Sequence, residues 1–495
     1  MNQCWSDEAQ KLFQNIGKQF KQAFVYNERT EFDAEIFLSL FEQYLSEPNT
    51  IDWTRMKPLN SKFQKDYESL PHCSGKEERD EIVKHLSVVK LNGGLGTTMG
   101  CDGPKSLIEL RKGLTFLDFA IGHIKHFNEQ NNSSVPLVLM NSFNTEKAID
   151  EYLTNRKINV KTFLQSKCPR IFAKTSIPVP LENGGENPEG WYPPGHGNIF
   201  KSMYFTGILD ELLAEGRDIC FISNIDNTGA TVDLRIAKLM VESDLEYVME
   251  CTEKTEVDRK GGTLVELNGY IMHLEMPQVP KDHIDDFCST DIFKIFNTNN
   301  IWVNLHAVKK KLAKMKMEII VNKKVSEKFF SSLFASFGTV LVLRNGEFVN
   351  QLETSVGGAI RNFDNVLSIQ VPRTRFLPVK NTQDLLAIMS ELYEVTENFS
   401  LQFVRKDQVP PVIELSRHFS KVSDFFRRFR EIPRLQELKR LKVEGDIYFG
   451  HHVELKDNVE IIAEEGQQLE VAEGECLENI KLIQTAHSEL QRISL

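Results

Sequence analysis

Ser87-Val88-Val89-Lys90-Leu91-Asn92-Gly93-Gly94-Leu95-Gly96-Thr97-Thr98-Met99-Gly100-Cys101-Asp102-Gly103-Pro104-Lys105-Ser106 is the stretch on which the reading of this chain turns. A short aliphatic run, the pattern of a buried strand, leads into a loop with five glycines in 11 residues. Glycines let a backbone turn tightly and approach a ligand closely, so that N–H groups can face anionic oxygens. Lys105 adds a compact positive charge suited to phosphate. Two familiar loops do not fit. The P-loop puts Gly directly before its Lys, where this chain has Pro104, and the dinucleotide fingerprint needs a third Gly where it has Met99.

Downstream, short apolar runs alternate with helical stretches. Ser87–Leu91, Pro136–Met140, Ile219–Ser223, Leu245–Cys251, Thr339–Leu343 and Val366–Val371 are predicted strands. Residues 116–128, 144–154, 199–215, 231–242 and 383–395 are predicted helices. This alternation predicts an α/β fold with a mainly parallel sheet, whose ligands lie beyond the carboxyl ends of the strands. Upstream, residues 1–86 have helical character, with Ile36, Phe37, Leu40, Phe41, Tyr44 and Leu45 on one apolar stripe. The three prolines between Glu47 and Ser74 suggest an irregular connection there. Residues 401–442, with 11 Lys/Arg against 5 Asp/Glu, are expected to be a basic helical linker. From Leu441 onward short apolar steps separated by turn residues suggest stacked strands, a small β-helix. The expected division is therefore 1–86 helical, 87–400 catalytic, 401–440 linker and 441–495 C-terminal β-helix.

The chain has 495 residues, 41% of them hydrophobic and 26% charged, with a net charge of −11. That is enough for two to four domains with real cores. An acidic chain is a poor match for bulk nucleic acid or an anionic membrane surface, so neither is expected as a partner. No apolar run approaches a membrane span. Met1–Glu8 is polar and acidic, unlike a secretory signal. The eight scattered cysteines form no C-x-x-C pair and suggest reduced thiols in the cytoplasm.

With the Pro-Lys attached, the glycine loop resembles the L-x-G-G-x-G-T…P-K pattern of sugar-nucleotide pyrophosphorylases. The closer resemblance is to the eukaryotic-type UTP–glucose-1-phosphate uridylyltransferases, and it runs from about residue 30 to the end. It implies a Rossmann-like mixed, mainly parallel nucleotidyltransferase core and the substrates UTP and glucose 1-phosphate, with Mg²⁺ as cofactor. It also implies that Leu91, Asn92, Gly93 and Gly94 lie at the nucleotide, with Lys105 on phosphate.

Further blocks follow in the family's order. In Phe163–Arg170 the resemblance gives Gln165 to uracil, and an amide, both donor and acceptor, suits that edge. Trp191-Tyr192-Pro193-Pro194-Gly195-His196-Gly197-Asn198 precedes a helix, where anions and hydroxyls are welcome. The family places Gly195 at uridine and His196 near the glucosyl group. Phe221–Ala230 is a strand ending in an amide and an acid. The resemblance gives Asn224 to the ligand and Asp226 to the metal, and one carboxylate plus substrate phosphates suits Mg²⁺. Gly262, Asn297 and Asn299 are implied at the hexose, and Glu353 at the sugar or in a structural role. In Val371–Lys380, Lys380 is implied as the second phosphate charge, with Arg373 and Arg375 as helpers or structural partners. Two departures stand out. Thr98 replaces an Arg found in more distant relatives, so that contribution to pyrophosphate is absent, and Asp102 replaces a basic residue of nearer ones, a negative charge that should weaken nucleotide binding unless it faces away or helps hold the metal.

The expected chemistry is uridylyl transfer from UTP to glucose 1-phosphate. Three rival readings compete with it. A UDP-sugar or UDP-N-acetylglucosamine pyrophosphorylase would use the same chemistry on another sugar. A silent scaffold is disfavoured by retention of both lysines and Asp226, and an oxidoreductase by the broken fingerprint. The C-terminal strands are expected to support self-association.

Overall fold

Leu86–Leu91 is buried at all six positions, as a parallel strand covered on both faces requires. In this computed structural model, which describes residues 6–47, 50–101, 103–255, 258–324, 348–486 and 490–495, it belongs to an eight-stranded sheet. The strand expected over Thr339–Leu343, Asp102 and the side chain of Thr98 lie outside what is described. The sheet strands are β1 (Gln64–Asp66), β2 (Leu86–Leu91), β3 (Leu137–Asn141), β4 (Lys161–Leu164), β5 (Ile219–Asn224), β6 (Tyr247–Glu253), β7 (Ile295–Asn304) and β8 (Val366–Gln370). Their order across the sheet is β1-β8-β6-β7-β5-β2-β3-β4. Every pairing is parallel except the two made by β7. The sheet is thus mixed and mainly parallel, as expected.

By contacts the described chain forms two compact units, neither of them contiguous. Unit 1 comprises Met1–Gly93, Asn131–Asn224 and Val232–Arg373, and unit 2 comprises Gly94–Gln130, Ile225–Thr231 and Thr374–Leu495. All eight sheet strands belong to unit 1. Its helices include α1 (Asp7–Phe24), α2 (Glu28–Ser46), α4 (Glu146–Arg156), α5 (Ile199–Phe205), α6 (Ile208–Ala214) and α7 (Leu234–Glu242). Unit 2 holds α3 (Phe116–Asn131, but for its last residue), α8 (Thr382–Met389) and α9 (Val422–Arg428). Val89, Met140, Phe200, Ile222, Met249 and Ile301 belong to one buried cluster of unit 1. A second cluster joins Ile16 and Phe20 of α1 to Ile36, Phe37, Leu40 and Phe41 of α2, with Trp191 and Tyr192. The expected stripe on α2 is therefore a packed face. A capping box sets the start of α2: Thr30 N–H donates to Asn27 Oδ1 at 2.9 Å and Asn27 N–H to Thr30 Oγ1 at 3.1 Å.

Several expectations need correction. The helix expected over 199–215 breaks into α5 and α6 at Gly207, whose φ of +79° suits glycine. The helix expected over 383–395 stops at Met389, and Tyr393–Val395 instead pairs with Leu401–Phe403. The expected helical linker holds one seven-residue helix, α9, while its strand Val412–Leu415 pairs in parallel with Leu438–Glu444. Pro410, Pro411 and Pro433 oppose a continuous helix there. The irregular stretch after Glu47 contributes Met56–Pro58, paired with Thr263–Leu267, and β1, paired with β8.

The C-terminal residues stack as expected in kind. Leu438–Glu444, Glu454–Ala463 and Cys476–Gln484 pair in parallel, and Asp446–Phe449 pairs in parallel with Gln468–Val471. Val443, Ile461 and Leu482 fall in one register and are buried. The turn at Gly445 (φ +96°) leaves no room for a side chain, since a Cβ would lie 2.2 Å from Ala463 O. At Gly466 (φ +82°) nothing lies within 4 Å of an added Cβ. Gly445→Ala is expected to cost about 2–4 kcal/mol, and Gly466→Ala only the left-handed penalty of about 1–2 kcal/mol. Urea unfolding of the two variants would check this, and equal losses would contradict it.

Candidate active site

The parallel strands of unit 1 release their carboxyl ends along one edge. After β2, Asn92 is anchored on three sides: its N–H donates to Met140 O (2.8 Å), its Nδ2 to Asn141 Oδ1 (2.8 Å), and its carbonyl accepts from Thr145 Oγ1 (3.0 Å). Gly93 O accepts from Ser142 Oγ at 2.7 Å. A Cβ on Gly93 would come within 2.0 Å of Gln165 Nε2, so glycine is what lets Gln165 lie against this backbone. Gln165 follows β4, is 5% exposed, and its Oε1 is buried without a hydrogen-bond partner. A buried acceptor left unmatched costs about 1–3 kcal/mol and fits a donor brought by a ligand. The peptide around it is fixed. Gln165 N–H donates to Asn141 O (3.0 Å), Ser166 N–H to Asn198 Oδ1 (2.8 Å) and Lys167 N–H to Asp33 Oδ1 (3.1 Å). Arg29 Nη2 donates to Gln165 O at 2.5 Å. Sequence reasoning missed Arg29 and Asp33, because an Arg–Asp pair four apart on a helix has the signature of a surface ion pair.

The hexose-side candidates gather around the antiparallel strand β7. Glu250 pairs with Asn300 and Cys251 with Asn297, so Thr298 and Asn299 form a bulge, which re-aims side chains. Asn299 sits at φ +63°, a conformation Asn tolerates. The bulge is pinned by Thr298 Oγ1 on Glu250 O (2.7 Å), and the buried Glu250 carboxylate accepts from Asn300 Nδ2 (3.0 Å) and Trp302 Nε1 (2.8 Å). Asn299 Nδ2 donates to Asn224 Oδ1 at 3.1 Å, while its Oδ1 is buried and unpartnered. Asn297 Oδ1 accepts from Asn299 N–H (2.8 Å), and Asn297 Nδ2 donates to His273 Nε2 (3.0 Å).

His196 rides on Gly195, whose φ of +84° and whose place 2.4 Å from Thr354 O, measured from an added Cβ, exclude other residues. Val356 N–H donates to His196 Nδ1 at 3.0 Å. The tautomer inferred from that bond carries its proton on Nε2. Burial, helped by the neighbouring His273, pushes the His196 pKa down to about 4. The ring is thus a neutral N–H donor at ordinary pH. Asn299 Nδ2, 3.5 Å away, is another donor and does not satisfy it. His273, also pushed down to about 4 by burial, is clamped by two glycines. A Cβ on Gly262 would be 2.5 Å from its Nε2, and one on Gly357 2.7 Å from its Nδ1. Sequence reasoning missed His273, which sits in the apolar run Tyr270–Leu274 and has the pattern of a core strand. Glu353 borders the Gly195 turn, its Cβ 3.3 Å from where a Cβ on Gly195 would sit, and with the Gln351 amide oriented to suit both neighbours, Gln351 donates to Glu353 Oε1 at 3.0 Å and accepts from Arg170.

In unit 2 the glycine loop folds back on itself. Lys105 N–H donates to Gly94 O (3.2 Å), Cys101 N–H to Gly96 O (3.0 Å), and Leu95 bridges Pro104. Lys105 Nζ forms an ion pair with Asp226, the side chains 18% and 15% exposed. Residues 225–231 are fastened to 374–378. Asn227 Nδ2 donates to Arg375 O (3.2 Å), Leu377 N–H to Asn227 Oδ1 (2.8 Å) and Thr228 N–H to Leu377 O (3.3 Å). Gly229 permits this, because a Cβ there would be 2.4 Å from Thr374 O. The same segment continues to Lys380, whose N–H donates to Asp384 Oδ2 at 2.7 Å and whose Nζ lies 5.3 Å from the Phe376 ring centre. Burial raises the Asp384 pKa; the N–H groups of Lys380 and Asn381 and the charges of Lys380 and Lys105 oppose it. The charges of both lysines thus act on the Asp384 carboxylate, which holds the Lys380 N–H, while Lys105 pairs with Asp226. Asp384 was not foreseen. Arg375 is structural, donating to Thr231 O (3.0 Å), and Arg373, in unit 1, pairs with Asp258 at 2.6 Å.

Among the described residues no group of three or more His, Cys, Asp or Glu could hold a metal. Asp226 offers a hard carboxylate, which suits Mg²⁺, an ion that commonly takes one or two carboxylates and completes its shell with phosphate oxygens and water.

The sequence model of the family described as UTP–glucose-1-phosphate uridylyltransferase matches residues 34–456. Relatives carrying that name include a Saccharomyces cerevisiae protein, 43% identical over 91% of this chain and 89% of its own. A Musa acuminata protein is 44% identical over 92% of this chain and 95% of its own. Among solved structures, UDP-glucose phosphorylase from Trypanosoma brucei is similar with TM-score 0.80 and 31% identity, covering 97% of this chain and 100% of that one. UDP-glucose pyrophosphorylase from Leishmania major gives 0.80 and 28%, with the same coverage.

Both histidines have folded-state pKa values below the usual 6.5, so the unfolded chain binds more protons between about pH 4 and 6.5. Their contribution to stability is complete above pH 6.5 and is lost as pH falls towards 4. Urea titrations at a series of pH values should show this, and His273→Gln should remove up to one proton from the uptake on unfolding near pH 5. An unchanged uptake would contradict the assignment.

Proposed function

The chain belongs to the UTP–glucose-1-phosphate uridylyltransferase family, and from that premise we propose how its residues share the work. It transfers the uridylyl group of UTP to glucose 1-phosphate, giving UDP-glucose and pyrophosphate. A non-bridging oxygen of glucose 1-phosphate attacks the α-phosphorus of UTP in line, and pyrophosphate leaves from the opposite side. One phosphoanhydride replaces another, so the reaction runs in both directions. The nucleophile is already an anion, so no general base is needed. The difficulty is to hold several anions together and to stabilise charge as it redistributes.

The observation that carries the reading is the Lys105–Asp226 ion pair at the glycine loop, with Lys380 anchored by its N–H on Asp384. Lys105 and Lys380 are the fixed cations for the phosphates. Asp226 is the protein ligand for magnesium, which when bound neutralises and orients the triphosphate. Leu91, Asn92, Gly93 and Gly94 line the nucleotide, with Gly195 and Asn224. The orphaned Gln165 Oε1 accepts from the uracil imide while its Nε2 donates to a ring carbonyl. The hexose meets His196 Nε2–H and the unpartnered Asn299 Oδ1, with Gly262 and Asn297 beside them. Glu353 acts through Arg170 and Gln351 to keep the Gly195–His196 turn in place.

The same proposal takes 87–400 as the catalytic region and 441–495 as a left-handed β-helix-like domain through which copies of the chain associate. Its cytoplasmic location is supported by cysteines 73, 101, 168, 220, 251, 288 and 476, none of which is in a disulfide. Among the described residues no helix is long and apolar enough to cross a membrane.

Lys380→Ala is expected to lower kcat by about 10²-fold or more with the fold intact by circular dichroism. Near-normal turnover would remove Lys380 from the machinery. Gly93→Ala should displace Gln165 and raise the KM for UTP about tenfold, with the KM for glucose 1-phosphate little changed.

A further inference from the structure

Helix α2 reaches the nucleotide end of unit 1 through its first turns. The Arg29 guanidinium donates to two successive carbonyls at the exit of β4, Gln165 O at 2.5 Å and Leu164 O at 3.4 Å. Its Nε pairs with Asp33 Oδ2 at 3.2 Å. The guanidinium carbon lies 5.7 Å from the Phe32 ring centre and 5.6 Å from that of Phe205, rings that stack 4.2 Å apart. Asp33 uses its other oxygen on Lys167 N–H at 3.1 Å. The pair therefore grips the backbone on both sides of Gln165 through hydrogen bonds to Leu164 O, Gln165 O and Lys167 N–H.

From this we infer that Arg29 and Asp33 are positioning residues for uracil recognition, holding the Gln165 peptide so that its side-chain amide meets the base in one orientation. The inference rests on the reading of Gln165 as the base contact. Packing alone does not account for the pair, because α2 is already docked by Ile36, Phe37, Leu40 and Phe41. Burial raises the Asp33 pKa in spite of the Arg29 charge, so the carboxylate is held there against a desolvation cost. A half-buried pair of this kind is weak evidence for stability, and its hydrogen bonds go to the backbone around Gln165. The effect is leveraged, since the Gln165 amide lies about 4 Å from its Cα, and errors of about 1 Å at such a site are costly.

The test is steady-state kinetics with UTP and CTP on the full chain, for Arg29→Ala, Arg29→Lys, Asp33→Asn, Gln165→Ala and the double variant Arg29→Ala/Gln165→Ala. Arg29→Ala is expected to raise the KM for UTP about tenfold, to change kcat by less than about threefold, and to erode the preference for UTP over CTP. Arg29→Lys should recover part of this, because an ammonium cannot fork across two carbonyls and Asp33. In the Gln165→Ala background the Arg29 change should add nothing, as expected of residues acting through one group. If Arg29→Ala does not fold, Asp33→Asn carries the test, with a smaller shift in the same direction. The inference is overturned if Gln165→Ala raises the KM for UTP while Arg29→Ala and Asp33→Asn leave it unchanged. It is equally overturned if the Arg29 effect adds in full to that of Gln165→Ala. If Gln165→Ala itself leaves the KM for UTP unchanged, the base-contact reading fails, and the inference with it.

Discussion

Burying a parallel sheet on both faces forces its connections over helices and gathers the strand exits along one edge. That constraint fixes where this chain can do chemistry. Leu86–Leu91, Leu137–Asn141, Lys161–Leu164 and Ile219–Asn224 all run the same way and deliver Asn92, Asn141, Gln165 and Asn224 to that edge. The single reversed strand, Ile295–Asn304, begins where its neighbours end, and its bulge turns Asn299 onto Asn224. The nucleoside and hexose candidates in unit 1 are thus products of strand direction before they are products of side-chain choice.

The ligand-contact candidates of unit 1 are neutral: amides, glycine backbone and two histidines whose burial keeps them uncharged. Unit 2 holds the charged groups, Lys105 on Asp226, with Asp384 feeling Lys105 and Lys380. Neutral donors and acceptors discriminate hydroxyls and base edges by geometry, whereas cations act on phosphate wherever its charge develops. A reaction whose nucleophile and leaving group are both anions needs such fixed cations and no base to be tuned.

Much of this was legible in the residues. The glycine loop, the strand ending in Asn224 and the stretch leading to Lys380 could be located by pattern and by resemblance. What escaped notice did so for physical reasons. His273 hides in an apolar strand, and its role comes from two glycines at its faces. Arg29 and Asp33 have the spacing of a surface ion pair and act only because α2 meets the exit of Lys161–Leu164. Asp384 looks like a capping residue and is one, with its Coulomb neighbours supplied by segments far away in sequence. The helix expected over 383–395 ends early at Met389, and the one expected over 401–442 is reduced to Val422–Arg428 between prolines, the rest going to strand pairing. Tyr393–Val395 and Val412–Leu415 found strand partners that no local window could show.

The most direct measurement is pyrophosphate release from UTP plus glucose 1-phosphate with Mg²⁺, run beside ATP and N-acetylglucosamine 1-phosphate as alternative substrates. The account predicts release with UTP and glucose 1-phosphate and little with either replacement. Silence in every combination, from folded protein that still binds UTP, would contradict it.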